Sequence, residues 1–141
     1  MTDPVLISRK LGVMHQHIAR ARRRLPRDAA HLRQSDDLLD ALAMSILVAL
    51  QEAIDIAFHV IADEGWGLPD AYGEAFRLLG ERGVLSADLA DRLAAAAGLR
   101  NRLAHGYASV DVDRLWSETP AGLDDLDSFS RAIAGFLDMS E

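Results

Sequence analysis

From Leu38 to Ile61 the chain is almost wholly apolar, and the polar side chains Ser45, Glu52, Asp55, His59 and Asp63 recur at spacings of 7, 3, 4 and 4. Those spacings return to one side of an α-helix, so the segment reads as a helix of more than 20 residues buried over most of its circumference. Asp36 and Asp37 suit its positive N-terminal end near Ser35, and the helix runs to about Ala62, before Gly65-Trp66-Gly67-Leu68-Pro69 breaks it. The polar interruptions argue against a membrane span, and the opening Met1-Thr2-Asp3-Pro4 lacks the basic region of a signal peptide. A helix of this kind needs other elements wrapped around it.

The neighbouring segments supply them. Leu11, Met14, Ile18, Ala21 and Leu25 lie on one face of a first helix that Pro26 stops. Tyr72, Phe76 and Leu79 mark a short helix ending at Gly80 or Gly83, and Ser86 is placed to cap another that runs through Leu93 and the Ala94–Ala97 run, whose small side chains permit close packing, to Leu103. Thr119-Pro120 has the form of a cap and first-turn proline, opening a last helix with Leu123, Leu126, Phe129, Ile133, Phe136 and Leu137 on its apolar face. No segment alternates with period two. The expected fold is all-α, a single domain over residues 1–141 built as a four- to five-helix bundle. The absence of cysteine excludes disulfides, thiolate metal sites and a cysteine nucleophile, and fits a cytoplasmic protein.

Charge is unevenly spread. Residues 1–35 hold eight Lys and Arg against Asp3 and Asp28, a surplus of six within a chain of net charge −7, so residues 36–141 carry −13. Arg22, Arg23, Arg24 and Arg27 either steer an anionic partner or simply solvate a helix. An acidic chain does not coat long nucleic acid with its whole surface, so any contact is local and DNA is not expected as a partner.

The segment that can carry chemistry is Gly98-Leu99-Arg100-Asn101-Arg102-Leu103-Ala104-His105-Gly106-Tyr107. Histidine exchanges a proton near neutral pH, and arginine stays cationic while donating to phosphate oxygens. A metal-free cut of RNA needs both, a base for the 2′-OH proton and fixed donors for charge building on the phosphate. Arg100 and His105 fit those roles. On one ideal helix they stand about 140° apart, with Tyr107 back within about 20° of Arg100. Either the helix ends near Gly106, freeing His105 to turn, or a second copy of the motif completes the site across a two-fold axis, which we favour. A helix-end Arg, His and Tyr also arise simply as a capping and surface cluster.

Arg100-Asn101-Arg102-Leu103-Ala104-His105-Gly106-Tyr107 resembles the R-N-x-x-x-H-x-Y signature of HepT proteins, small helical ribonucleases of the HEPN superfamily. The resemblance extends through residues 51–59, Gly67-Leu68-Pro69-Asp70-Ala71-Tyr72, residues 75–79 and Gly83-Val84-Leu85. It implies the toxin of a bacterial type VII toxin–antitoxin pair, a homodimeric, metal-independent endoribonuclease without a cofactor of its own. It also implies that Arg100 and His105 are the catalytic pair in a cleft between protomers, and that RNA is the substrate. The implied partner, a nucleotidyltransferase antitoxin called MntA, uses ATP to place AMP on Tyr107. Each such nucleotide brings bulk and phosphate charge beside Arg100, where it competes with RNA. Glycine at 106 loosens the segment between His105 and Tyr107 and implies weaker activity.

Other polar positions have plainer readings. Asn101 and Arg102 are candidate supports of the motif, and Arg102 points elsewhere on the helix from Arg100. Asp55 and His59, at i,i+4, are expected as a solvated or cleft-facing stripe, which orients His105 only if it faces the cleft; a metal site there lacks further ligands. Met14 and Met44 read as core, and His15, His17 and His31 as surface. Trp66 and Trp116 are assigned to packing rather than base stacking. Two further function classes remain: a non-catalytic helical subunit that positions a nucleotidyltransferase, and a metal-dependent hydrolase.

Overall fold

The computed structural model describes residues 2–106 and 109–139 and contains six helices and no strand among them. They are α1 (Pro4–Arg24), α2 (Ala29–Gln34), α3 (Asp36–Glu64), α4 (Tyr72–Glu81), α5 (Ala87–Ala104) and α6 (Val112–Met139). Side-chain caps start most of them: Asp3 accepts from the Val5 and Leu6 amides, Asp28 from His31, Ser35 from Leu38, and Ser86 from Leu89. The His31 amide and imidazole both donate to Asp28 and hold its carboxyl below the usual range.

Helix α3 is the axis. By length and composition it is apolar enough to cross a membrane, yet here it is wrapped by protein, with Leu42, Ile46, Leu50, Ile54, Ile56, Ala57, Val60 and Ile61 buried. Helix α1 lies antiparallel along one side, Lys10 reaching Glu52 and Arg24 reaching Ser45. Phe76 of α4 and Phe129 of α6, both fully buried, meet edge to face at 5.8 Å between ring centroids. Each such burial contributes about 1.5–3 kcal/mol before packing gains.

Three local expectations change. The six-residue helix α2, whose Leu32 is fully buried, is too short to carry a periodic signal. Helix α6 starts a full two turns before Thr119-Pro120: Asp111 accepts from the Asp113 and Arg114 amides, and Pro120 lies inside the helix. Leu115, Thr119, Leu123 and Leu126 continue one buried face through the proline, and the Thr119 hydroxyl turns back to the Leu115 carbonyl at 2.6 Å instead of capping. Met44 is 57% exposed rather than core. As expected, His15 and His31 are exposed, His15 meeting Ser130 at 2.8 Å and His31 joining its cap, while half-buried His17 has a buried Nδ1 with no partner among the described residues. Both tryptophans pack, Trp66 against Phe136 and Arg82, Trp116 by donating to the Pro26 carbonyl.

Helices α4 and α5 approach closely because Gly80 faces Ala90 and Gly73 faces Ala94. A Cβ on Gly80 would sit 2.8 Å from the Ala90 Cβ, a rigid clash. Gly80→Ala is therefore expected to lose about 1–3 kcal/mol in urea unfolding, against the gain of about 1 kcal/mol that helix propensity alone would bring. Ala90→Gly in the same chain should recover part of it; a stabilised Gly80→Ala protein would refute the contact. His17 gives a second expectation. Burial first, then the charges of Arg20 and Arg24, lower its pKa, with Glu52 opposing. The unfolded chain then binds the proton more readily, so this contribution is complete above the ordinary imidazole pKa of about 6.5 and is lost as pH falls below it. The fall in Tm between about pH 7.5 and about pH 5.5 should be smaller in His17→Asn than in the parent protein, and equal falls would contradict this.

Candidate functional site

Arg100 lies just before the last turn of α5, facing the middle of α3. Its Nε donates to Gln51 Oε1 at 2.7 Å and its Nη1 to Asn101 Oδ1 at 3.2 Å, while its Cζ lies 5.1 Å from the centroid of the Tyr72 ring. Tyr72 is held in turn by an edge contact with Phe58 of α3 at 6.0 Å. Gln51 Nε2 donates to Asp55 Oδ1 at 2.9 Å, and the other oxygen of Asp55 lies 3.6 Å from Lys10 Nζ. A single line of contacts thus runs from α1 through α3 to the motif arginine.

Where α5 ends, His105 takes the C-cap position and its amide bonds the Asn101 carbonyl at 3.2 Å. Gly106 follows at φ +85°, a left-handed conformation that glycine adopts without strain, and its amide returns to the Leu103 carbonyl. Helix α5 thus ends at Ala104, two residues before Gly106, and this glycine acts as a stop. The His105 imidazole is exposed and makes no hydrogen bond to another described residue. Tyr107 lies outside the described residues.

Of the supporting positions, Asn101 touches Arg100 directly, and Asp55 reaches it through Gln51. Among the described residues Asp55 leads through Gln51 to Arg100, and no bond joins Asp55 or His59 to His105. Ser45, placed by spacing on the same solvated stripe, is buried under α1 with Arg24 Nη1 at 2.9 Å. Arg102 is exposed and sits on the lip of a cavity of about 260 Å³ floored by Leu50, Leu99, Leu123 and Leu126. No group of three or more His, Cys, Asp or Glu among the described residues is arranged to hold a metal ion. Gln51, Tyr72 and Lys10 escaped the sequence reading as site residues. Gln51 has a local signal, four residues before Asp55 on the same face, whereas Lys10 and Tyr72 arrive only through tertiary packing.

One arc of α3 stays open. At 100° per residue, Met44, Val48, Gln51, Asp55, Phe58 and Ala62 fall within an arc of about 80°, and none of them is buried. Arg100 lies beside that arc.

A family model described as ribonuclease HepT-like matches residues 14–133. An mRNA nuclease HepT of Shewanella oneidensis is 26% identical over 106 residues, covering 75% of this chain and 80% of that protein. A tRNA nuclease HepT of Aphanizomenon flos-aquae is 30% identical over 108 residues, covering 72% of this chain and 74% of that protein. A chain in the solved structure of tri-AMPylated Shewanella oneidensis HEPN toxin in complex with MNT antitoxin superposes with a TM-score of 0.85 at 25% identity, covering 96% of this chain and 99% of that one.

Proposed function

The chain belongs to the ribonuclease HepT-like family, and from that premise we propose that it is a cytoplasmic endoribonuclease toxin whose Arg100 and His105 act on an RNA phosphate. The observation that carries this reading is the asymmetry of the motif: Arg100 is braced from three sides, while His105 stands exposed at a helix end. A fixed cation suits charge that develops on phosphate oxygens, and an exposed imidazole suits proton transfer. In the step we assign, His105 takes the 2′-OH proton, the 2′-oxygen bonds to phosphorus, and the bond to the 5′-oxygen breaks, leaving a cyclic phosphate and, once protonated, a 5′-hydroxyl. The 2′-OH requirement selects RNA over DNA. The step needs no metal or cofactor of the toxin's own.

The open arc of α3 supports a homodimer. Met44, Val48, Phe58 and Ala62 give it apolar area, and a second copy laid across it would place two Arg100 side chains on one seam. The structural relative is AMPylated and bound to an MNT antitoxin, so we assign the same control here: a nucleotidyltransferase partner consumes ATP and modifies Tyr107. The added phosphate would compete with RNA for Arg100.

Incubated with bulk tRNA and messenger RNA, the unmodified protein should cleave in the presence of chelator. Arg100→Ala and His105→Ala should each lose about 10²–10⁴-fold in rate while remaining folded and dimeric. Co-expression with the antitoxin should add mass in AMP units that map to Tyr107. A folded, dimeric, unmodified protein that cuts no RNA would instead favour a non-catalytic subunit, and chelator-sensitive cleavage would favour a metal-dependent hydrolase.

A further inference from the structure

Five arginines of this fold end on carboxylates: Arg22 on Asp124 and Asp127, Arg33 on Asp113, Arg77 on Asp91, Arg92 on Asp125 and Arg114 on Glu118. Arg100 does not. Among the described residues the three groups on its guanidinium are uncharged: the Gln51 amide, the Asn101 amide and the Tyr72 ring. A carboxylate is nonetheless near, since Asp55 lies one side chain away, bonded to Gln51 and facing Lys10.

That order of groups has a physical consequence. A carboxylate offers only acceptors, so Asp55 must take the NH₂ end of Gln51, which leaves the amide oxygen facing Arg100. Lys10 is 3.6 Å from Asp55 and 3.5 Å from Glu52, offsetting the negative charge behind the amide. The guanidinium is thereby aimed by a strong hydrogen bond without being neutralised. A glutamate at 51 would pair with Arg100 and cancel the charge an RNA phosphate needs. An apolar residue there would leave the charge but release its direction.

We propose that Gln51 is the positioning residue for Arg100, an uncharged bracket oriented by Asp55 and Lys10 that keeps the guanidinium both fixed and fully cationic toward phosphate. This rests on the reading of Arg100 as the phosphate-binding group.

The test compares Gln51→Glu and Gln51→Leu with the parent and with Arg100→Ala. The readouts are cleavage of bulk tRNA and binding of a fluorescein-labelled single-stranded RNA by anisotropy, between about 50 and about 200 mM salt. Gln51→Glu, close in shape, should raise KM and the binding Kd at least about tenfold and flatten the salt dependence by about one phosphate contact. Gln51→Leu should keep KM within about twofold and lose about 10–100-fold in kcat. Wild-type values for both variants beside an inactive Arg100→Ala would overturn the bracket, as would losses that come with loss of the dimer, which would make Gln51 an interface residue. A fully active Arg100→Ala would instead remove the reading of Arg100 itself, and anisotropy reports on the bracket even if the chosen RNA is not cut.

Discussion

Everything in this molecule depends on covering one 29-residue helix that is apolar around most of its circumference. Water must be kept from Leu42, Ile54, Ile56, Val60 and Ile61, all essentially inaccessible, and no single neighbouring helix is wide enough to do so. Helix α1 therefore takes one flank, while α4, α5 and α6 take the others. The close approach of Gly80 to Ala90 lets α4 and α5 act as a tight pair. That wrapping brings the end of α5 against Gln51.

The site occupies the one arc that the wrapping leaves open. Apart from Phe58, which packs against Tyr72, that arc is only partly covered, so polar groups there keep their hydrogen-bonding capacity for side chains brought from elsewhere. Gln51 and Asp55 use it on Arg100 and Lys10. The electrostatics of the chain divide accordingly. Much of the N-terminal surplus of positive charge is answered within the fold, Arg22 and Arg33 by acids of α6, Lys10 by Glu52 and Asp55, Arg24 by the Ser45 hydroxyl. The motif arginine is held, among the described residues, by neutral groups.

Local rules held wherever one segment carried its own evidence. Ser86 caps α5, Ser35 caps α3, and the Gly65 to Pro69 stretch separates α3 from α4. They misled where two local signals competed. Thr119-Pro120 reads as a helix start, but the buried face through Leu115 and Leu123 continues across it, and packing outweighs one missing N–H. Met44 lies on the apolar helix yet faces outward, because hydropathy does not say which sides of a helix the neighbours will reach. Asp55 and His59 share a side with Ser45 by spacing, but α1 covers only part of that side.

Sequence alone determined the helical class, the buried central helix, the caps and the chemical types in the motif, since each follows from periodicity or reactivity within a few residues. Tertiary structure decided which partner each polar group meets. Residues 10, 51, 72 and 100 are joined only because α1, α4 and α5 converge on α3, and no spacing along the chain encodes such a meeting. The direction and the retained charge of Arg100 are consequences of that convergence.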